Sequence, residues 1–231
     1  MLHPLRTCVS PLLILALITL GARLASKHAS ADEIAKAEAD EGFNPLFDGK
    51  TLDGWEGNKD LWKVQDGVLV GDSPGIKHNE FLATKKEYGD FELRLEFRLN
   101  GGSGNSGVQF RSARVPESTE VSGYQADIGE QYWGCLYDES RRNRVLVQAR
   151  KELKDVLKPD DWNQYVIRAE GDHVTLKING LTTVDYHEPE KEIARRGVIA
   201  LQVHSGPPLK VEFRNLRIRE LKPSSKGLGA N

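Results

Sequence analysis

The chain has 231 residues, of which 39% are hydrophobic and 29% are charged, so it is long enough to bury one substantial core. Its formal net charge of −2 at pH 7 gives no electrostatic argument for a nucleic acid or a charged membrane surface as partner. The 22 glycines and the 7% of aromatic residues favour a turn-rich β protein.

The first 30 residues differ in kind from the rest of the chain. Arg6 precedes an apolar run over residues 11–20, and small residues follow it. This order is typical of an export signal, and the run is shorter than the roughly 20 residues that a transmembrane helix needs. We therefore expect residues 1–30 to be a cleaved signal peptide. The mature protein is then expected to be periplasmic or secreted, without membrane insertion after cleavage.

The segments beside the expected domain are polar and lack a convincing apolar face. Residues 31–41 predict a linker, residues 222–231 predict a disordered tail, and residues 42–221 remain as one domain. Cys8 would be removed with the signal, which leaves Cys135 alone. The mature protein is therefore expected to have no internal disulfide and to depend on its core for stability.

Between these ends the main pattern is an alternation of apolar and polar residues. FELRLEFRL, residues 91–99, places its apolar side chains on one face and its charged side chains on the other. Asn179-Gly180 is a dipeptide favoured in two-residue hairpins. About ten to twelve such strands predict an all-β fold, a β-sandwich of two antiparallel sheets, because two sheets must cover each other's apolar faces. A single short helix is expected around residues 150–157.

Three predicted strands carry polar pairs opposite their apolar residues. These are Gln109 and Arg111 in GVQFR, Gln125 and Asp127 in GYQADI, and Gln202 and His204 in ALQVHS. Such side chains offer donors and acceptors that suit sugar hydroxyl groups. If the strands share one sheet, the pairs form a polar binding face; the alternative is an ordinary solvated sheet face.

A set of segments in a fixed order gives the chain a family resemblance. They are NPLFDGKTLDGW, WKVQDGVLVG, GNSGVQFRS, GYQADI, WNQYVIRAEGDHVTLKINGL and GVIALQVHSG. In this combination the chain resembles the 3-keto-disaccharide hydrolase domain family over nearly all of residues 42–221. The resemblance implies a concanavalin A-like jelly-roll sandwich, export, and a glycoside hydrolase-like action on carbohydrates oxidised at C3. It also implies a sugar 3-dehydrogenase acting upstream.

One departure from the family pattern concerns a carboxylate. Where many members read Tyr-Glu-x-Gln-Ile, this chain has YQADI at residues 124–128, so the carboxylate moves two positions and keeps its face. Retaining glycosidases resembling this fold use alternate carboxylates about 5 Å apart as nucleophile and acid/base. Gln125 replaces the first carboxylate in QADIGE, and an amide can serve in neither role. Retaining hydrolysis is therefore disfavoured.

A 3-keto sugar permits another route, because the ketone acidifies the proton on C2. A base removes that proton, the resulting enolate expels the C1 substituent, and water then adds. This route needs a general base and a cation or hydrogen-bond donor at the enolate oxygen. We predict Asp127 and His204 as candidate bases and Arg111 as the stabiliser of the enolate oxygen.

The predicted substrate-binding residues lie on or beside the same strands. They are Asn105, Gln109, Gln125, Gln202, Tyr137, Glu139 and Trp133, the last as a stacking platform for a sugar ring. The other three tryptophans, Trp55, Trp62 and Trp162, are expected in the core.

No metal ligands are predicted, because the histidines at 78, 173, 187 and 204 are scattered along the chain and form no known ligand motif. Convergence of Asp127, Glu130 and His204 leaves a divalent metal open. Two other functions also stay open: a non-catalytic, lectin-like glycan-binding module of the cell envelope, and an interaction protein that docks through ESRRNR, residues 139–144.

Overall fold

The fold was analysed in a computed structural model that describes residue 39 and residues 41–222. Within this range the chain forms fifteen strands in two antiparallel sheets, which confirms the predicted all-β sandwich. None of the helices in this described range is long and apolar enough to span a membrane. The predicted signal peptide lies outside the described residues, as do most of the predicted linker and tail.

The two sheets differ by one strand. The eight-stranded sheet has the spatial order β13 (Leu181–His187), β12 (His173–Ile178), β11 (Asn163–Glu170), β6 (Phe91–Leu99), β15 (Leu209–Glu220), β4 (Val68–Ser73) and β3 (Trp62–Gln65), with β1 (Asn44–Pro45) paired to β15. The seven-stranded sheet has the order β10 (Arg144–Val147), β9 (Leu136–Glu139), β8 (Val121–Gly129), β7 (Asn105–Arg114), β14 (Val198–Val203), β5 (Glu80–Thr84) and β2 (Trp55–Glu56). Short 3-10 turns occupy Asn100–Gly102 and Lys151–Asp155, so the helix expected around residues 150–157 is one short turn.

The core lies between the inner faces of the two sheets. Phe97 of β6 and Phe110 of β7 are both fully buried there, as alternation predicts. Trp55 and Trp62 are buried as expected. Trp162 is not in the core: it is half-buried and its ring lies between two guanidinium groups, those of Arg98 at 4.8 Å and Arg214 at 4.0 Å.

Strand β7 contains a bulge at which strict alternation fails. Arg111 and Ser112 together oppose the single residue Gly123 of β8. Arg111 adopts a φ of 48°, in the left-handed region, and a Cβ at Gly123 would lie 2.1 Å from the Ser112 hydroxyl oxygen. The extra residue reverses the direction in which Arg111 points. The prediction that Arg111 shares a face with Asp127 is therefore wrong.

Arg111 instead joins the two sheets at one end of the sandwich. Its guanidinium donates to the carbonyl oxygens of Gly89 at 2.9 Å and Gly171 at 2.8 Å, and to the Asp90 carboxylate at 2.7 Å. Gly89 and Asp90 precede β6, and Gly171 follows β11, so all three partners flank strands of the eight-stranded sheet. With its side chain only 2% exposed, Arg111 has no access to the outer face.

The segment between β9 and β10 is fixed by Arg142. Its guanidinium bonds the buried Asp138 of β9 and, at 2.7 Å, the carboxylate of Glu188, which follows β13. The hydroxyl of Tyr124 donates to the same carboxylate. Burial alone would raise the pKa of Glu188, but the hydrogen bonds from Arg142 and Tyr124 outweigh burial and lower the pKa to about 2. Arg142 of the ESRRNR segment is thus engaged within the fold.

We expect Glu188→Gln to lower the free energy of unfolding by about 2 kcal/mol at pH 7. Because the folded-state pKa of Glu188 lies below its ordinary value of 4.5, its stabilising effect is present above that pH and is lost as the pH falls toward about 2. Urea denaturation between pH 7 and pH 3 should therefore show that the difference in unfolding free energy between the wild type and the variant becomes smaller as the pH falls. Glu190→Gln is the matched control, since Glu190 also bonds Arg142, at 2.9 Å, but is exposed. An equal loss of unfolding free energy in the Glu188 and Glu190 variants would contradict the prediction.

Candidate functional site

The outer face of the seven-stranded sheet carries a pocket of about 140 Å³. We call it the outer-face pocket; its lining residues are Asn105, Gln125, Asp127, Tyr132, Tyr137, Glu139 and His204. The pleat of β7, β8 and β9 turns Asn105, Gln125, Asp127, Tyr137 and Glu139 outward because the intervening residues point into the core. Tyr132 comes from the turn after β8, and His204 directly follows β14. Six of the seven were predicted from the sequence, and β7 lies between β8 and β14 as the prediction of one polar face required.

Asp127 lies in the pocket wall and is only 2% exposed. Gln125 Nε2 lies 3.3 Å from its Oδ1, and the Cys135 thiol lies 3.9 Å from its Oδ2. Burial raises the pKa of Asp127 well above its ordinary range; the hydrogen bond from Gln125 opposes this, and the negative charge of Glu139 adds to it. Asp127 therefore keeps a proton at a higher pH than an exposed aspartate does.

The imidazole of His204 is oriented by its own chain. Its Nδ1 lies 2.6 Å from the carbonyl oxygen of Ser205, and the amide N–H of Ser205 donates to Asn79 Oδ1 at 2.9 Å. Since a carbonyl oxygen only accepts hydrogen bonds, Nδ1 must carry the proton. In the neutral ring, Nε2 then keeps its lone pair, so His204 can accept a proton at that atom.

Glu139 and two tyrosines complete the pocket. Burial raises the pKa of Glu139 and the nearby charge of Glu120 raises it further, whereas His204 lowers it. Tyr132 and Tyr137 meet edge to face, with ring centroids 6.0 Å apart. Burial also raises the pKa of Tyr137, so its hydroxyl remains a donor at neutral pH.

Two of the predicted glutamines lie beside the pocket without lining it. Gln109 donates to the Val121 carbonyl at 2.8 Å, and Gln202 Oε1 lies 3.3 Å from Gln125 Nε2. Both are fully buried. Within the part of the chain that the structure describes, four buried amide atoms of this face lack a hydrogen-bond partner: Asn105 Oδ1, Gln109 Oε1, Gln125 Oε1 and Gln202 Nε2. Of these four atoms, Asn105 Oδ1 and Gln125 Oε1 belong to residues that line the pocket, where each suits the O–H of a sugar hydroxyl as a hydrogen-bond acceptor.

The turn after β8 corrects the prediction for Trp133. Trp133 packs against the core and stacks on Phe97, with ring centroids 6.3 Å apart, so it offers no platform to a sugar in the pocket. Gln131 and Gly134 have φ of 68° and 65°, and this irregular backbone sends Tyr132 outward and Trp133 inward. Tyr132 could not be predicted from alternation, because alternation does not hold within a turn. The aromatic pair in QYWG was the available signal.

The three residues considered from the sequence as ligands of a divalent metal, Asp127, Glu130 and His204, do not all meet in the structure. Asp127 and His204 line the outer-face pocket, but Glu130 is exposed and does not line it. The pocket residues therefore offer one imidazole and two carboxylates, those of Asp127 and Glu139, and both carboxyl groups have raised pKa values that favour their protonated forms.

A curated protein resembles part of this chain. A protein of Bacteroides thetaiotaomicron named 3-keto-disaccharide hydrolase is 29% identical over 99 residues, covering 38% of this chain and 34% of that protein. The chain thus spans about a third of the length of the curated relative that it matches.

Solved structures share the fold at low identity. A candidate glycosyl hydrolase from Parabacteroides distasonis superposes with a TM-score of 0.62 at 20% identity, covering 81% of this chain and 97% of that one. The carbohydrate-binding module CBM66 of Bacillus subtilis gives a TM-score of 0.58 at 17% identity, covering 72% and 96%. These likenesses confirm the concanavalin A-like jelly-roll sandwich.

The family assignment rests on most of the chain. The family model described as the 3-keto-alpha-glucoside-1,2-lyase-like domain matches residues 42–219, which include all seven residues of the outer-face pocket. The resemblance found in the sequence segments is thereby confirmed. The chain belongs to the 3-keto-alpha-glucoside-1,2-lyase-like domain family of carbohydrate-active proteins.

Proposed function

We propose that this protein is exported and cleaves 3-keto-glycosides or 3-keto-disaccharides at the outer-face pocket. The observation that carries the proposal is the meeting of an oriented imidazole, His204, with the carboxyl groups of Asp127 and Glu139 among unpaired amide atoms. Family membership supports an oxidised sugar as substrate. The reaction needs a C3 ketone, so a sugar 3-dehydrogenase acts upstream.

The first step is removal of the proton on C2 by His204. Its Nε2 takes the proton, and the electrons of the C2–H bond form the enolate between C2 and C3. The hydrogen bond from Nδ1 to the Ser205 carbonyl stabilises the imidazolium that results. Asp127, the other base candidate from the sequence, is less suited to this step because its burial favours the protonated form.

Asp127 takes over the role that the sequence analysis assigned to Arg111. A protonated carboxyl group in a low-dielectric wall is a strong hydrogen-bond donor to a developing enolate oxygen. Gln125 and Cys135 hold the Asp127 side chain in place through its two oxygens. The stabilisation of the enolate thus comes from a neutral donor in place of a cation.

Collapse of the enolate breaks the bond between C1 and the leaving oxygen and restores the C3 ketone. The C1–C2 double bond forms, and the leaving oxygen takes a proton from Glu139, whose raised pKa suits it as a proton donor. The hydroxyl of a water molecule then adds to C1 as the Glu139 carboxylate takes the other water proton, and the His204 imidazolium delivers a proton to C2, which completes hydrolysis. Atoms and charges balance without an added oxidant or reductant.

The size of the pocket limits what it encloses. Its volume of about 140 Å³ is below the range of 300–1,000 Å³ typical of pockets that bury a whole drug-sized ligand. The pocket therefore holds one oxidised ring, and the substituent on C1 lies in solvent. This favours substrates with varied leaving groups over recognition of one disaccharide.

The second candidate function is a lectin-like glycan-binding module. The observation that favours it is Gln125 at the position where a retaining glycosidase would have its first carboxylate. Such a module would bind the sugar through the amides and Tyr137 and would release it unchanged. Turnover of a 3-keto-glycoside separates the two functions.

Reaction in D₂O tests the order of bond changes. We expect purified protein to convert a 3-keto-glucoside into 3-keto-glucose carrying deuterium at C2, because the abstracted proton is replaced from solvent. Proton NMR of the product measures this, with a protein-free incubation to correct for spontaneous exchange. The glucoside that is not oxidised should not be cleaved, since its C2 proton is not acidic. Product that retains the C2 proton, together with no isotope effect on kcat/KM for substrate deuterated at C2, would exclude the elimination route.

Replacing the proposed base should affect turnover more than binding. We expect His204→Gln to lower kcat by about 10²–10⁴-fold with a much smaller change in substrate affinity. His78→Gln is the matched control because His78 is exposed and does not line the pocket. Steady-state kinetics and calorimetric titration supply the two readouts. Unchanged kcat in His204→Gln would remove His204 from the mechanism.

Asp127→Asn should stabilise the protein as the pH rises. A carboxyl whose folded-state pKa is raised above its unfolded value of 3.8 gives its full stability below that pH and costs stability as the pH rises through the folded-state value. The free energy of unfolding of the variant, measured by urea denaturation, should therefore rise relative to that of the wild type between pH 4 and pH 8. Asp127→Ala should lower kcat by about 10²–10³-fold, and Asp127→Asn by less, because the amide still donates. An Asn variant that loses stability with rising pH would contradict the burial argument.

A further inference from the structure

We propose that His173, His187 and Asp185 bind one divalent transition-metal ion on the outer face of the eight-stranded sheet. Their ligand atoms all lie within 4.8 Å of one another. The three residues lie on β12 and β13 of the eight-stranded sheet, whereas Asp127 and His204 line the pocket on the seven-stranded sheet. The site is thus distinct from the outer-face pocket and independent of the proposed function.

Strand pairing brings the three side chains together. His173 of β12 and His187 of β13 are direct cross-strand partners, and Asp185 lies two residues before His187, on the same face of the strand. The neighbouring Val174 of β12 is buried in the core, which places the three polar side chains on the outer face. The sequence spacing did not indicate the site, because the two histidines lie on different strands of a hairpin and meet only when those strands pair.

The side chains already contact one another as a set. The imidazole rings are stacked, with centroids 4.2 Å apart and planes inclined by 2°, and His173 Nε2 lies 2.7 Å from Asp185 Oδ1. In a tetrahedral site with bonds of about 2.0–2.1 Å, ligand atoms lie roughly 3.4 Å apart. These side chains are partly exposed, so rotations about their χ angles can tilt the rings toward a shared ion. Such rotations would shorten the distances between ligand atoms, now up to 4.8 Å, to roughly 3.4 Å.

Asp172 supplies the outer support that metal-binding histidines usually have. Its Oδ1 lies 3.2 Å from His187 Nδ1, so Nδ1 carries the proton in that bond and Nε2 is left for the metal. The amide N–H of Glu188 donates to the Asp172 carbonyl at 2.9 Å, which fixes the backbone beside both histidines. The local carboxylates also offset the charge of the ion.

The donor set decides the class of metal. Two imidazole nitrogens and one carboxylate suit Zn²⁺, Ni²⁺ or Cu²⁺, whereas Ca²⁺ and Mg²⁺ prefer oxygen ligands. Three protein ligands leave a coordination position for water. Because β13 is the outermost strand of its sheet, an ion held across β12 and β13 would fasten that edge.

The direct test is calorimetric titration of the untagged, EDTA-treated full chain with Zn²⁺. We expect one ion per chain, and at least a tenfold loss of affinity in His187→Gln and in His173→Gln, with no change in the exposed control His78→Gln. Asp172→Asn should weaken binding by about 10–100-fold through the outer shell. Since Zn²⁺ binds the folded hairpin, it should raise the Tm of the wild type and not that of the two histidine variants.

Two further readouts do not depend on the folding of a variant. Co²⁺ should give an intense visible absorption typical of tetrahedral coordination, and excess Ca²⁺ should not displace it. Substoichiometric Cu²⁺ should broaden the ring signals of His173 and His187 before those of His78 in the wild type. Lack of Zn²⁺ binding up to millimolar concentration would overturn the proposal, as would binding that survives in both histidine variants. Turnover of a 3-keto-glucoside should be the same in His187→Gln and the wild type.

Discussion

The carboxyl group of Asp127 is buried in the outer face of the seven-stranded sheet, and the rest of the site depends on that burial. Strand β8 is paired on both sides, to β7 and β9, so the backbone that carries Asp127 is held in the sheet. Its partners within the described residues are an amide and a thiol, neither of which carries a positive charge. The cost of ionising Asp127 therefore appears as a raised pKa.

The outer faces of the two sheets satisfy their polar groups in different ways. On the eight-stranded sheet, Glu92 accepts from Arg168 and Arg219, each at 3.1 Å, and Arg214 pairs with Glu96 at 2.7 Å. Alternating Glu and Arg residues thus make a solvated face of paired charges. On the seven-stranded sheet, amides meet amides and leave atoms unpaired. That contrast, which residue types alone suggested, is the physical difference between a face of paired charges and a face whose amide atoms can bond a ligand.

Much of the fold and of the site followed from alternation, and the failures occur where alternation breaks. The period of two placed Gln125, Asp127 and His204 on one face because β8 and the end of β14 keep a regular pleat. It failed at Arg111, where a bulge adds one residue, and at Trp133, where a turn with left-handed residues reverses the facing of neighbours. It also gave no sign of the pairing between His173 and His187, since strand register is a property of the sheet. Bulges, turns and register are set by tertiary packing and cannot be read from periodicity.

The burial of Asp127 also bears on the choice between an enzyme and a binding module. A module that only holds sugar hydroxyls gains nothing from a carboxyl at this position, because an asparagine would donate and accept with no cost of ionisation. A carboxyl costs stability as the pH rises, and in the proposed reaction it offers a proton that can be shared with a developing enolate. His204, with its Nδ1 proton committed to Ser205, offers the complementary acceptor at Nε2. The pocket thus contains one group that holds a proton and another that can accept one. Proton transfer requires this arrangement, and simple binding does not.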